Sequence, residues 1–199
     1  SGAEFYSKEA SAVGTRPVLV LVVTPVKELV PVADSYVRNG VYSDDNYGAS
    51  GLIAIKKGGS SFNREAFFKF DLSEVTGIIT SAKLRMEVAS AGISVPSTTW
   101  DVRYVTDDSW TETNVTFNNS SISGTLLNSQ TGQASGVVEW DITSQVITEF
   151  LEDKILSLNL SSTSLDGNSA VSFYSKEASK VSTRPVLVLV VTPVKELVP

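Results

Sequence analysis

The chain of 199 residues contains no cysteine and no histidine. Disulfides, thiol nucleophiles, zinc sites built from Cys and His, and imidazole acid–base catalysis are therefore excluded. It also lacks an excess of positive charge: 16 Lys and Arg stand against 22 Asp and Glu, for a net charge of −6. A generalised nucleic-acid footprint is absent, and no nucleic-acid partner is expected. Long apolar runs are missing too. The longest, Pro17–Val23 and its copy Pro185–Val191, are too short to cross a bilayer as a helix, so no membrane insertion is expected. Acidic side chains are plentiful, yet no pair stands out in a pattern suited to glycoside hydrolysis. An enzyme is not expected.

What the chain does have is a repetition of itself. Residues Phe5–Pro31 read FYSKEASAVGTRPVLVLVVTPVKELVP, and Phe173–Pro199 differ from them only at Ala12/Lys180 and Gly14/Ser182. Near-identity at a fixed offset of 168 positions is the signature of a tandem array. A unit of that length is a whole domain. Residues 1–31 then read as the C-terminal strands of a preceding repeat plus a linker, and residues 32–199 as a complete domain with its own C-terminal linker. Pro25 and Pro31 bracket the linker and predict an extended, semi-rigid joint.

Between the copies, apolar residues alternate with period two, the mark of half-buried strands. Leu84, Met86 and Val88 share one face, and Phe68, Phe70 and Leu72 another. Trp100, Val102 and Tyr104, then Val138, Trp140 and Ile142, then Leu156, Leu158 and Leu160 repeat the pattern. Pro185–Val191 is apolar on both faces, which predicts a central strand. One segment, Thr143–Asp153, has helical spacing, with Val146, Ile147, Phe150 and Leu151 on one face and Thr143 or Ser144 as N-cap. The fold class that follows is all-β, an antiparallel jelly-roll β-sandwich with one short helix.

Six segments in order carry a family resemblance: ADSYVRNGVYSDDNYG (33–48), FNREAFFKFDLS (62–73), SAKLRMEV (81–88), VTDDSWTETNVTFNN (105–119), EWDITSQV (139–146) and the stretch 173–191. Together they resemble the DNRLRE-type domain of secreted and cell-surface proteins, and are similar to family-96 carbohydrate-binding modules. The resemblance implies a non-catalytic jelly roll, often in tandem, and an extracellular or cell-surface location. It also implies a basic groove for a uronate chain, at Arg38, Lys56, Lys57 and Arg64.

Arg38, Lys56 and Lys57 on adjacent strands can clasp carboxylates of an acidic glycan, with Arg offering a bidentate fork; solvated strand-face charges fit the same pattern. Asp44, Asp45 and Asn46 cluster hard oxygens before a Gly turn, and Asp166 opens a second Asx–Gly turn. Both suit a structural calcium ion, and both suit plain Asx turns. Trp110, between Asp107–Asp108 and Glu112, fits a sugar-stacking platform or a loop anchor.

Two functions from different classes follow. The near-identical ends favour a surface stalk, adhesin or filament, in which neighbouring repeats or copies of the chain meet head to tail, joined by donation of the duplicated strand. The alternative is a carbohydrate-binding module for an acidic polysaccharide such as alginate.

Overall fold

The computed structural model describes residues 3–17, 25–58, 62–92, 98–120, 124–163 and 170–193. Its strands are β1 (Val26–Leu29), β2 (Ala33–Arg38), β3 (Leu52–Ile55), β4 (Arg64–Asp71), β5 (Ile78–Ala91) and β6 (Thr99–Val105). They continue with β7 (Thr125–Thr131), β8 (Gly136–Asp141), β9 (Ile155–Ser162), β10 (Val171–Tyr174) and β11 (Val186–Thr192), and α1 (Thr143–Leu151) lies between β8 and β9. One sheet runs β1-β11-β5-β10-β3 with β8 also paired to β5; the other runs β2-β4-β9-β6-β7. All the pairings are antiparallel, and the chain crosses between sheets at most connections. The result is the jelly-roll sandwich that the alternating pattern predicts.

The core is the inner face of both sheets. Phe68, Phe70, Leu84, Leu156, Leu158, Leu160, Leu187 and Leu189 are fully buried there. A second, smaller core lies on the outer face of the β2-side sheet, where Val37, Phe67, Val105 and Val115 are covered by Trp110 and Phe117 of the 106–120 loop. The other outer face is mixed, with the valines of β11 and β8 beside a charged cluster. Glu139 takes Lys83 at 3.1 Å and Arg85 at 2.8 Å, and Arg85 reaches Glu28 at 3.0 Å. These pairs are half-exposed and contribute little to stability.

Two expectations are corrected. The segment read as a linker is a strand of this domain: β1 pairs with β11 from Val26↔Val190 to Leu29↔Leu187. Its place makes β11 an interior strand, paired to β1 on one edge and to β5 on the other, with Leu187, Leu189 and Val191 buried and Val186 and Val190 part-exposed. The helix keeps Val146, Ile147 and Phe150 of its expected face against the core and departs from it at one end. Val146 and Glu149 are its buried residues, whereas Leu151 is 76% exposed. Thr143 Oγ1 does not cap the helix; it accepts the Ala82 N–H of β5 at 2.9 Å. A tertiary bond has displaced the local one.

The slot for the duplicated strand is filled by the C-terminal copy, as β11. Of the N-terminal copy, residues 18–24 lie outside the described residues. Residues 3–17 are described, and they repeat the local fold of their counterparts. Arg16 Nε donates to Ala10 O at 2.9 Å, as Arg184 Nε does to Ala178 O at 2.8 Å. Ser7 Oγ accepts from Glu9 N at 3.2 Å, and Ser175 Oγ from Glu177 N at 3.1 Å. Burial separates the copies: Phe5 is 91% exposed and Phe173 fully buried.

Truncating a strand from the inner face should leave a cavity that β1 and β5 cannot close. Leu187→Ala is expected to cost about 2–5 kcal/mol, and Leu151→Ala no more than about 0.5 kcal/mol. Urea unfolding of the two variants measures both; equal midpoints would contradict the burial assignment.

Candidate functional site

Strand register assembles the cations that the sequence scatters. Arg38 of β2 is paired with Arg64 of β4, and Arg64 is bridged on its other side to Lys56 just beyond β3. Three basic residues thus lie side by side on three neighbouring strands, and the Lys56–Arg64 bridge also ties one sheet to the other. The Lys56 Nζ lies 5.7 Å from the centre of the Phe62 ring. Lys57, one residue on, belongs elsewhere, because neighbours in extended chain point to opposite sides. It lines a polar groove of about 310 Å³ with Glu65, Arg103, Asn159 and Ser162. The structure therefore brings together Arg38, Arg64 and Lys56 and sets Lys57 apart.

Tyrosines hold the arginine. The Arg38 guanidinium sits 3.8 Å from the Tyr42 ring centre and 5.8 Å from that of Tyr47, within the range of a cation–π contact. Tyr47 stacks on Tyr36 with centroids 4.4 Å apart, and its hydroxyl lies 3.4 Å from Arg38 Nη1. Burial, and then the charge of Arg38, lower the pKa of the half-buried Arg64 below the usual arginine value. Among the described residues, none of Arg38, Arg64 and Lys56 is ion-paired with a carboxylate. Tyr36, Tyr42 and Tyr47 were not singled out from sequence; the signal available was the aromatic spacing in SYVRNGVYSDDNYG.

The side chains of the Asx cluster are engaged in hydrogen bonds. Asn46 Nδ2 donates to Glu112 O and Val115 O, both at 2.8 Å, and its Oδ1 accepts Gly48 N at 3.1 Å. Asp44 Oδ1 accepts from Asn118 Nδ2 at 2.7 Å, and Asp45 Oδ2 from the Tyr47 hydroxyl at 3.3 Å. Together they clamp the 106–120 loop against the loop that carries Tyr47. The contact is close enough to demand glycine: a Cβ on Gly48 would lie 2.2 Å from Glu112 O. Asp166 lies outside the described residues. Trp110 is a loop anchor, donating from Nε1 to Ser157 Oγ at 3.1 Å and meeting Phe67 edge-on at 5.9 Å. Lys69 Nζ crosses its ring at 4.6 Å and donates to Asp108 O at 2.7 Å.

Carboxylates gather at a separate place that sequence reading missed. One carboxylate oxygen from each of Asp34, Glu112 and Glu177 lies within 4.8 Å of the others. Asp34 opens β2, Glu112 lies in the 106–120 loop, and Glu177 follows β10. Lys176 Nζ contacts Glu112 at 2.9 Å and Glu177 at 2.6 Å. Burial, together with the nearby Glu177 and Glu112 charges, pushes the Asp34 carboxyl up to about 8, against a lowering bond from Lys176 N–H. The available signal was an Asp at an inward position of a strand, a place where an unpaired acid is costly.

A β-sandwich presenting unpaired cations among tyrosines, on an otherwise acidic chain, has the features of a carbohydrate-binding module. Residues 25–191 match the model of carbohydrate-binding module family 96, and the chain belongs to that family. The match begins at β1 and ends in β11, the same span that the sheet register closes. No curated protein matches the chain. Among the described residues, no helix is long and apolar enough to cross a membrane.

Glu65, at the floor of the polar groove, is 9% exposed and accepts from Asn159 Nδ2 at 3.2 Å. Burial raises its pKa, and Asn159, Lys57 and Arg103 oppose the rise. A raised carboxyl contributes stability below its unfolded pKa and loses it as pH climbs through the folded value. Glu65→Gln is therefore expected to melt above the wild type at pH 7, with the two converging near pH 4. A constant difference across that range would contradict the assignment.

Proposed function

We propose that this module binds an acidic polysaccharide through Arg38, Arg64 and Lys56. The observation that carries this reading is the cationic row itself: three bases in register, unpaired by any described carboxylate, on a chain of net charge −6. Among the described residues, many bases have no ion-pair partner. What sets these three apart is their register, which lines up three positive charges where a repeating anion can meet all of them. A uronate chain supplies carboxylates at regular spacing, and Arg forks grip them bidentately. Tyr42, 39% exposed, offers a ring for the sugar's apolar face beside the Arg38 guanidinium. The role is binding, with no chemistry performed on the glycan, and the polymer places the module outside the cell or on its surface. Calorimetry with alginate against a neutral glucan tests this. Arg64→Ala should weaken alginate binding about 10-fold or more, rising salt should weaken it further, and Lys180→Ala should leave it unchanged. Equal affinity for the neutral polymer, or an unaffected Arg64→Ala, would overturn the reading.

A second reading concerns the array. Val191 N donates to Pro25 O at 3.1 Å, so the chain enters and leaves the domain at one end of the β1–β11 ribbon. We infer that successive repeats hang side by side from that shared end and bind one polymer multivalently. A chain carrying two repeats is then expected to hold alginate at least about 10² times more tightly than one repeat. Equal affinity would leave the array a spacer or shaft.

A further inference from the structure

We propose that Asp34, Glu112 and Glu177 hold one divalent cation of the calcium type, which fastens the start of β2 to the loops behind the glycan-binding face. The charge balance is the first argument. One ammonium, from Lys176, faces three carboxylates in a half-buried to buried setting. With all three carboxylates ionised, which binding a cation would require of the buried Asp34, two negative charges are left over, and a divalent ion matches them. The second argument is independent of the count. Asp34 is 1% exposed, and its Oδ2 is fixed by the Lys176 N–H at 2.7 Å, while its Oδ1 is buried with no hydrogen-bond partner. Glu177 Oε2 is a second buried oxygen without a donor from the rest of the chain, and without an ion the Asp34 and Glu177 carboxyls share a proton. Buried carboxylate oxygens are expensive to leave unmatched, and two fall in one cluster.

The donor set selects the ion. Carboxylate oxygens with no nitrogen or sulfur suit hard cations. Donors contributed by three separate segments form an irregular set, which calcium tolerates and magnesium, with its octahedral demand, does not. Water supplies the remaining positions of a calcium shell. The ammonium of Lys176 lies between Glu112 and Glu177 and balances part of the charge without reaching the two orphaned oxygens.

The site would bear on the glycan face through covalent and hydrogen-bonded links. Glu112 Oε1 accepts the Asp34 N–H at 3.1 Å, and the Glu112 carbonyl accepts from Asn46, which positions Gly48 and Tyr47. Tyr47 stacks on Tyr36 and meets Arg38. The cation site itself does not depend on the polysaccharide reading, and its test is independent of glycan binding.

Thermal melts of the whole chain, in chelator and in calcium or magnesium, decide the matter, with terbium luminescence sensitised by the nearby Trp110 as a direct probe. Calcium at about a hundred times its Kd is expected to raise Tm by roughly 5–10 °C, magnesium to do less, and terbium to saturate at one ion per chain. Asp34→Asn should abolish the calcium response. In chelator the same variant should melt above the wild type, because the cost of burying the Asp34 carboxyl is gone. Glu177→Gln provides a second variant should Asp34→Asn fold poorly, and it too should lose the response. Asp45→Asn should keep it. No calcium shift and no stoichiometric terbium signal in the wild type would overturn the proposal. So would a full response in both Asp34→Asn and Glu177→Gln, or loss of the response in Asp45→Asn, which would move the ion to the 44–46 turn.

Discussion

The two sheets are locked by one cluster of three aromatic rings. Trp100 of β6 faces Trp140 of β8 at 6.5 Å and Phe173 of β10 at 5.2 Å, edge to face. Trp140 Nε1 also donates to the Trp100 carbonyl at 3.2 Å, a hydrogen bond that crosses from one sheet to the other. All three rings are fully buried. Such rings bring large apolar area and a preferred geometry together, so they set the distance and rotation of the sheets. Phe173 comes from the repeated segment. Phe5 of the other copy is the same residue in the same local sequence, so this contact requires a copy of the segment without deciding which one docks.

From that lock, β5 distributes register. It pairs with β11 along one edge, with β10 further up the same strand, and with β8 opposite. A slip of one residue would turn Leu84 and Met86 to solvent and Lys83 and Arg85 inward, so the pairing is strongly specified. The other sheet inherits its register in the same way from β4 and β9, and Arg38 and Arg64 fall opposite each other as a consequence. The basic row is a by-product of core packing, lying at the end of the same strand faces that carry Tyr36, Ala66 and Phe68.

The loops are fastened by polar bonds in place of apolar area. Asn46 satisfies two carbonyls of the facing loop, Lys69 caps two more, and Ser50 O receives the Ser175 hydroxyl at 2.6 Å. Buried backbone groups need such partners, and side chains from distant segments provide them here. This explains why the Asx motif at 44–46 was legible as important yet ambiguous in role. Clustered oxygens look the same in sequence whether they bind an ion or a backbone. Likewise Arg38, Arg64 and Lys56 were legible as basic residues in strand motifs, but the separation of Lys57 from Lys56 depended on strand alternation at an end that the sequence pattern does not mark.

The strand pattern of the sandwich was contained in the alternation of residues such as Leu84, Met86 and Val88, because a half-buried strand imposes period two on its own side chains. The turn after Ser7 and after Ser175 was contained more locally still. It forms alike in a solvent-exposed copy and a packed one, since Ser–Glu and Arg–Ala bonds span only two and six residues. The membership of β1 in the sheet, the diversion of Thr143 to Ala82, and the meeting of Asp34, Glu112 and Glu177 were decided only by tertiary structure. Each joins positions far apart in the chain, and a local pattern carries no record of a partner that distance brings near. Phe5 and Phe173 state the division most plainly: one sequence, one local turn, and a burial of 9% or 100% set by whether a core stands beside it.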